Sequence, residues 1–392
     1  MTDYVKIREV NMKKKLNTIA ILSLLLIVTG CSPETKQAGE SNQPTVTVTE
    51  DIQNNNTGGI KHISKKLSDN FYIDADVEEP AAKEYAIYSV KNKIFDKNAL
   101  DLFLLKDDTD RTFTENPNRP QTLIVDTGKG SSLLMGDGSV NYLKNNVRDS
   151  EIESMIESYL LSGEVSEDTK ELDFQSKDDA ITLGINKIKE VVDCQAEAVR
   201  AVAISHERLE QLQEDLSKND IYQAELKNGS SNKIEGLSAA DDLYYIQYAI
   251  KADDLYLYNA ILEPGISMNI DAFWDNKVNI TIMADRDGIR YFNFNNVFDS
   301  FDKIKEKKAI ITAEEALQKV EEKYSNIILT DKTTISKVWL EYIPVPTSWK
   351  DPSDIELRPY WCIQLDITDK DGLISNAERI NAVTGGNLAN GE

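Results

Sequence analysis

Hydrophobic and polar positions divide the chain into stretches of different character. Leu16 to Val28 is an almost continuous apolar run, with Ile19, Ile21, Leu22, Leu24, Leu25, Leu26 and Ile27, and Lys13-Lys14-Lys15 stand directly before it. It falls short of the ~20 apolar residues that span a bilayer, and has the basic start and length of an export signal. Met12 competes with Met1 as the first residue of that signal. From Ser32 to about Lys66 the apolar positions thin out into Ser, Thr, Gln, Asn, Gly and Pro, with Asn54-Asn55-Asn56 and Gly58-Gly59 near the middle. Such a stretch buries too little apolar surface to order itself. As a flexible coil of ~35 residues it would span roughly 30–35 Å.

Regular patterns begin near Leu67. Tyr85 to Val90 reads as a strand and Ala99 to Leu105 as a short helix. Gln121 to Val125, Ser131 to Met135 and Ser139 to Leu143 are apolar runs separated by glycine turns, which predicts an antiparallel meander. Ile152, Met155, Ile156, Tyr159 and Leu160 then recur at helical spacing.

The second half carries an internal repeat. Ser176-Lys177-Asp178-Asp179-Ala180 and Thr312-Ala313-Glu314-Glu315-Ala316 both place a hydroxyl N-cap before two acids and an alanine, at an offset of 136. Tyr244 to Ile250 lines up with Trp361 to Ile367 through a shared Ile-Gln and a final Ile, at an offset of 117. The first copy therefore holds 19 extra residues between helix and strand. Ser205 to Asn219, with Leu209, Leu212 and Leu216 on one face, is the candidate insertion. Each copy reads helix, strand, excursion, strand, strand, with Ala196 to Ser205 and Thr334 to Val345 as the strands after the helices.

Two resemblances follow from these residues. Val28, Thr29, Gly30 and Cys31 resemble the lipobox of bacterial lipoproteins. That resemblance implies a diacylglyceryl group on the Cys31 thiol, cleavage before it, and anchoring to the outer face of the cell membrane, in a Gram-positive setting. The acidic-start helix, the Trp-bearing strand and the closing Val383-Thr384-Gly385-Gly386 are similar to PepSY-like modules, closely over about 306–392 and loosely over 170–300. These modules imply a helix on a curved antiparallel sheet and a role in regulating extracytoplasmic partners. The whole looks like a Firmicutes-type lipoprotein.

The expected organisation is a signal peptide at 1–30 and a lipid-anchored tether at 31–66. An α+β meander domain follows at 67–165, then a helix–sheet unit with an inserted helix at 166–305 and a second, PepSY-like unit at 306–392. The expected fold class is α+β, antiparallel sheets with helices packed on one face.

Charge narrows the partners. Residues 1–30 carry five positive and two negative charges, so their removal takes the net charge from −23 to −26. Such a chain is repelled by nucleic acid and by anionic headgroups, and suits a partner with a basic face. With Cys31 assigned to lipid, Cys194 and Cys362 remain, either as an export-compatible disulfide or as two buried thiols.

Motifs for chemistry fail on spacing. Thr127-Gly128-Lys129-Gly130-Ser131 lacks the upstream glycine and the following helix of a phosphate loop, and reads as a hairpin turn. Asp369, Asp371 and Glu378 fall at positions three, five and twelve of an EF-hand-like loop around Gly372, but position one is Ile367, which cannot ligate. Asp285-Arg286-Asp287-Gly288 has the same look, so both read as Asp-Gly turns. Of the two histidines, His62 lies in the tether and His206 starts the inserted helix; no HExxH or GxSxG is present.

Aromatics cluster at Tyr244, Tyr245, Tyr248, Tyr256, Tyr258, Phe273 and Trp274, and again at Trp339, Tyr342, Trp349, Tyr360 and Trp361. Most suit a core. Trp349, in a Pro-containing loop, is the candidate partner contact. The reading is a non-enzymatic, cofactor-free binding or regulatory module for another envelope protein or wall component. The alternative is a small-ligand or carbohydrate-binding lipoprotein with an aromatic-lined cleft.

Overall fold

The computed structural model describes residues 47–49, 59–96, 105, 110–116, 119–161, 171–192, 194–259, 266–267, 278–299, 301, 304–348, 354–370 and 372–388. The strands begin with β1 (Thr47–Thr49), β2 (Ile60–Lys66), β3 (Phe71–Glu78) and β4 (Glu84–Val90). The meander follows as β5 (Arg111–Asn116), β6 (Arg119–Thr127), β7 (Ser132–Gly136) and β8 (Ser139–Leu143). Next come α1 (Asn146–Leu161), α2 (Lys177–Val191), β9 (Gln195–Ile204), α3 (His206–Leu216), α4 (Asp220–Asn228), β10 (Leu243–Ala252), β11 (Leu255–Tyr256) and β12 (Ile266–Ser267). The chain continues with β13 (Asn279–Asp285), β14 (Gly288–Asn295), β15 (Ile304–Ala309), α5 (Ala313–Tyr324), β16 (Lys332–Pro346), β17 (Ile355–Asp369) and β18 (Gly372–Asn381).

This is a mixed α+β protein built mostly from antiparallel sheets. One sheet runs β11-β10-β13-β14-β8-β7-β6-β5 with β9 beside β10; the other runs β1-β2-β3-β16-β17-β18-β12, with β4 on β17 and β15 on β4. The meander is present, and its glycine turns are hairpins: β6 pairs β7 across Gly130 (φ +89°), and Gly288 (φ +115°) and Gly372 (φ +136°) close the two Asp-Gly turns.

Strand pairing crosses the expected boundaries at 67 and 165. Ile60–Lys66 is a strand rather than tether, and β2, β3 and β4 join the sheet of the C-terminal unit, not that of the meander. The reason is physical and non-local. Only Ile63 of β2 is fully buried, while Lys61 and Lys65 reach Glu314 and Glu321 of α5 at 2.6 and 3.0 Å. A polar strand satisfied by a helix some 250 residues away has no local hydrophobic signature. The helix expected at 99–105 lies, except for Leu105, outside the described residues.

Helices do not all occupy one face. In the first sheet Tyr244, Ile246 and Tyr248 of β10 share a core with Ala180 and Ile188 of α2. The opposite-facing Leu243 and Tyr245 share another with Ile152 and Met155 of α1 and Leu209 of α3. Every side chain of β10 except Lys251 is buried, so alternation could not mark a solvent face.

The two helix–sheet units share specific geometry. Ser176 accepts the Asp179 amide at 3.1 Å, and Thr312 forms a reciprocal capping box with Glu315 at 3.2 and 2.8 Å. Tyr244 donates its hydroxyl to Gln175 O at 2.9 Å, and Trp361 donates its indole N–H to Ile311 O at 2.9 Å. Each aromatic thus holds the carbonyl just before its helix cap. Register shifts in the β9–β10 and β16–β17 ladders both fall beside the aligned glutamines, leaving Val199 and Ser336 as the extra residues next to Gln247 and Gln364.

The sheets meet at the β10–β11 turn. Asp253 sits in the left-handed region (φ +53°) and accepts the hydroxyls of Tyr88 and Tyr342 at 2.7 and 3.2 Å, while Asp254 accepts that of Tyr85 at 3.0 Å. Leu257 then bridges to Tyr342.

Candidate binding cleft

The insertion in the first unit builds a concave surface. Ser205 caps α3, whose Leu209 and Leu212 anchor it beneath the sheet. Asn219 caps α4, accepting the Ile221 amide at 2.8 Å, and Gly229 (φ +75°) ends it in the conformation that glycine adopts at least cost. The returning segment 230–237 is then fixed by buried or half-buried polar groups. Gln213 donates to Ile234 O at 3.1 Å and accepts from Ile234 N at 2.7 Å. Glu151 accepts from the backbone and side-chain amides of Asn232 at 2.7 and 3.1 Å. Arg148 donates to the carbonyls of Glu235 and Gly236 at 3.1 and 3.3 Å. Between α3, α4 and 233–237 these contacts hold open a cleft of about 570 Å3.

Its lining combines charge with a short apolar floor. Glu210 and Glu214 stand one turn apart on α3, Glu235 comes from the loop, and Lys233 is the one cation in the lining. None of these four side chains makes an ion pair or hydrogen bond with another described residue. Leu226, Ile234 and Leu237 supply the apolar surface. Tyr222 is in the wall, 8% exposed, and its hydroxyl is shielded from solvent with no hydrogen-bond partner among the described residues. Burial, reinforced by the carboxylates of Glu151 and Glu225, pushes this phenol above its ordinary pKa, so it remains a hydrogen-bond donor at neutral pH. Among the described residues, no nucleophile hydrogen-bonded to a base lines the cleft. It can hold a polar ligand.

An ion network behind the cleft secures Arg148. Arg148 pairs bidentately with Asp241 at 2.8 and 2.7 Å, and Arg290 engages Asp149 through Nε at 2.9 Å while lying 3.7 Å from Asp241. Burial drives the Asp149 carboxyl up against the opposing pull of Arg290. Asp241 is pushed up by burial too, but its bonds to Arg148 and the Ser238 amide bring the net shift below the ordinary value.

His206, at the first turn of α3, lies beside Asp242 and Glu207 in a group with metal-ligand spacing. Both ring nitrogens are already engaged, Nδ1 with Asp242 at 2.7 Å and Nε2 with Glu207 at 3.2 Å. The Asp242 bond is the main cause of a raised histidine pKa. The cluster fits an imidazolium clamp that holds the start of α3.

Sequence-derived candidates are dispersed. Val28, Thr29, Gly30, Cys31, Trp349, Phe273, Trp274 and Asp371 lie outside the described residues. Asp369 accepts the Gly372 amide at 2.9 Å within its turn, and Glu378 is engaged by Lys323, Tyr324 and Asn387 at 2.6, 2.9 and 2.8 Å. His62 lies on β2 between Asp74 and Asp76, not in a tether. Tyr244, Tyr245, Tyr248, Tyr258, Trp339, Tyr342, Tyr360 and Trp361 are all buried. Cys194, half-buried, and Cys362, buried, do not form a disulfide, and Cys362 donates to the buried Glu341 at 2.9 Å. The cleft itself was not singled out from the sequence. Its only signal there was the 19-residue surplus in the first copy.

No described protein family and no curated protein matches this chain. A crystal structure of an uncharacterized protein from Eubacterium rectale ATCC 33656 is similar in fold, with a TM-score of 0.53 and 13% sequence identity, over 83% of this chain and 92% of that one. The likeness concerns architecture alone.

Proposed function

We propose that this chain is an extracytoplasmic lipoprotein, anchored through Cys31, that acts without catalysis as a binding or regulatory module for another envelope protein or wall component. The observation that carries the reading is the cleft of the first unit. Its walls are fixed by buried polar contacts before any ligand arrives, which lowers the ordering cost of binding, while the carboxylates on its rim are left unpaired. The burial of most of the described clustered aromatics weighs against the alternative. A carbohydrate platform needs exposed rings, and Tyr222 is the one aromatic lining this cleft. The matched caps, aromatic-to-carbonyl bonds and bulges support divergent duplication of a PepSY-like unit, in which the first copy gained the cleft by insertion.

The test uses the full-length chain in intact cells, with a photo-crosslinking residue in place of Ser217 at the cleft rim. A discrete crosslinked species, lost when Leu226→Arg fills the cleft, is the expected result. Crosslinking that is absent, or unchanged by Leu226→Arg, refutes the role of the cleft.

A further inference from the structure

We infer that the outer edge of β5 is a self-association site, at which β5 of a second copy of this chain pairs antiparallel and joins the two meander sheets into one. β5 ends its sheet, pairing β6 and no other described strand. Thr112, Phe113, Thr114 and Glu115 are exposed in succession, on both faces of the strand. The other end of the same sheet differs. β9 carries a register shift beside Gln247, and of its residues only Gln195 and Glu197 are exposed, the bent and covered form in which proteins keep an edge from pairing. The β5–β6 ladder is regular as far as Glu115, where its register shift falls. Neither lysine nor proline, the usual guards of an edge, occurs in β5.

Three properties of the strand select its own copy as the partner. The first is backbone parity. Asp110 O accepts Gly128 N at 3.1 Å, while Thr127, opposite Arg111, sends its N–H to Ser131 O at 2.9 Å. Alternation therefore turns the N–H and C=O groups of Thr112 and Thr114 toward β6, and those of Arg111, Phe113 and Glu115 outward. Antiparallel pairing about a two-fold axis at Phe113 sets outward groups against outward groups: Phe113 meets Phe113 and Arg111 meets Glu115, each pair exchanging both of its hydrogen bonds. The second property is charge. That register places the one cation of β5 opposite its one anion on either side of the axis, whereas in-register parallel pairing sets like charges side by side. Arg111 also donates to Leu105 O at 2.7 Å, and its five-donor fork serves that carbonyl and a carboxylate together. The third property is the aromatic. Phe292, Tyr142, Leu133 and Val125 form one buried cross-strand row through the meander, and the row ends on the half-exposed Phe113. Two Phe113 rings meeting across the axis continue that row from one copy into the other, and an aromatic pair stabilises beyond its buried area.

Disulfide trapping of the full-length chain in detergent micelles tests the register. Thr112 of one copy faces Thr114 of the other in a non-hydrogen-bonded pair, with ~4.5 Å between Cα atoms. Thr112 meets its own counterpart only on a diagonal of ~7–8 Å, too long for a disulfide. Mixed Thr112→Cys and Thr114→Cys chains are expected to form a linked dimer at least tenfold faster than either variant alone or the unsubstituted chain. Equal rates, or no linked dimer, overturn the pairing. Sedimentation equilibrium gives a second readout. The unsubstituted chain dimerises, Glu115→Arg and Arg111→Glu each weaken dimerisation at least tenfold, and their equimolar mixture, in which every arginine again meets a glutamate, restores it. A chain that stays monomeric at all concentrations, or a dimer indifferent to these changes, overturns the proposal. Crosslinking of the Thr112→Cys variant to a different protein in intact cells, with the purified chain monomeric, assigns the edge to a foreign strand and overturns it likewise.

Discussion

Gly184 of α2 offers a sharp test of how the first unit packs. A Cβ placed there would lie 1.9 Å from the hydroxyl oxygen of Tyr248 and 2.6 Å from Cζ. Tyr248 is wholly buried and donates to Ile181 O at 3.1 Å, so its ring has nowhere to swing. Helix propensity alone favours Gly184→Ala by ~1 kcal/mol. Against that, the ring must retreat by about 1.5 Å to restore ordinary contact. Overpacking of this kind costs about 1–3 kcal/mol, and loss of the buried phenol's hydrogen bond costs about 1–3 kcal/mol.

The balance is a destabilisation of about 3 kcal/mol, read as a fall of roughly 4 °C in Tm for a chain of this size. The positions at the same offsets in the second unit, Val320 and Leu365, are both buried and share the volume more evenly. Tyr248→Leu alone should cost about 2–4 kcal/mol through its cavity. Combined with Gly184→Ala it should cost less than the sum of the single changes by at least ~1.5 kcal/mol. Thermal and urea unfolding followed by circular dichroism measure all three variants. A neutral or stabilising Gly184→Ala, or strict additivity, would refute the packing argument.

Further predictions concern the junctions and the anchor. Arg290→Met strands the buried Asp149 charge and should cost about 3–5 kcal/mol, with Arg290→Met/Asp149→Leu recovering much of the loss in the same unfolding assay. Asp253→Ala removes the acceptor of two tyrosines at the sheet junction and should cost about 2–4 kcal/mol; Asp253→Asn, which keeps an acceptor, should lose less. The His206 ring, raised above the ordinary histidine value chiefly by Asp242, should titrate in NMR above 6.5 and return toward it in Asp242→Asn. The sign follows: the stabilisation is complete below the unfolded value and fades as pH rises through the folded one, so a midpoint at or below 6.5 contradicts the clamp. Cys31→Ser should release the protein from the membrane fraction and abolish labelling with a fatty-acid analogue; retention of label would refute the anchor.

Local signals were legible and long-range ones were not. The hydroxyl caps at Ser176 and Thr312, the meander turns and the helix at His206 depend on residues within a few positions of one another, and each was readable. The pairing of β3 with β16 and of β2 with α5 involves residues far apart in sequence, and the lysines of β2 look like solvated tether until Glu314 and Glu321 are placed opposite them. The cleft escaped for a related reason. Glu210 and Glu214 read as the outer face of an amphipathic helix, and only the return of 230–237, pinned by Gln213 and Arg148, turns that face inward.

The parallel pairing of β3 with β16 has a further consequence for how the chain acquires its fold. Phe71 aligns with Thr333, about 260 residues later, so the strands that emerge first from a ribosome or an export channel wait for nearly the whole polypeptide before they gain their partners. During that interval the side of β3 that β16 will cover is an exposed edge, and exposed edges invite intermolecular pairing. The exposed Asp74, Asp76 and Glu78 of β3 guard it. They are gatekeepers that keep the waiting strand soluble. A chain cut short before β16 would leave them on guard indefinitely, with the N-terminal strands unable to close the sheet.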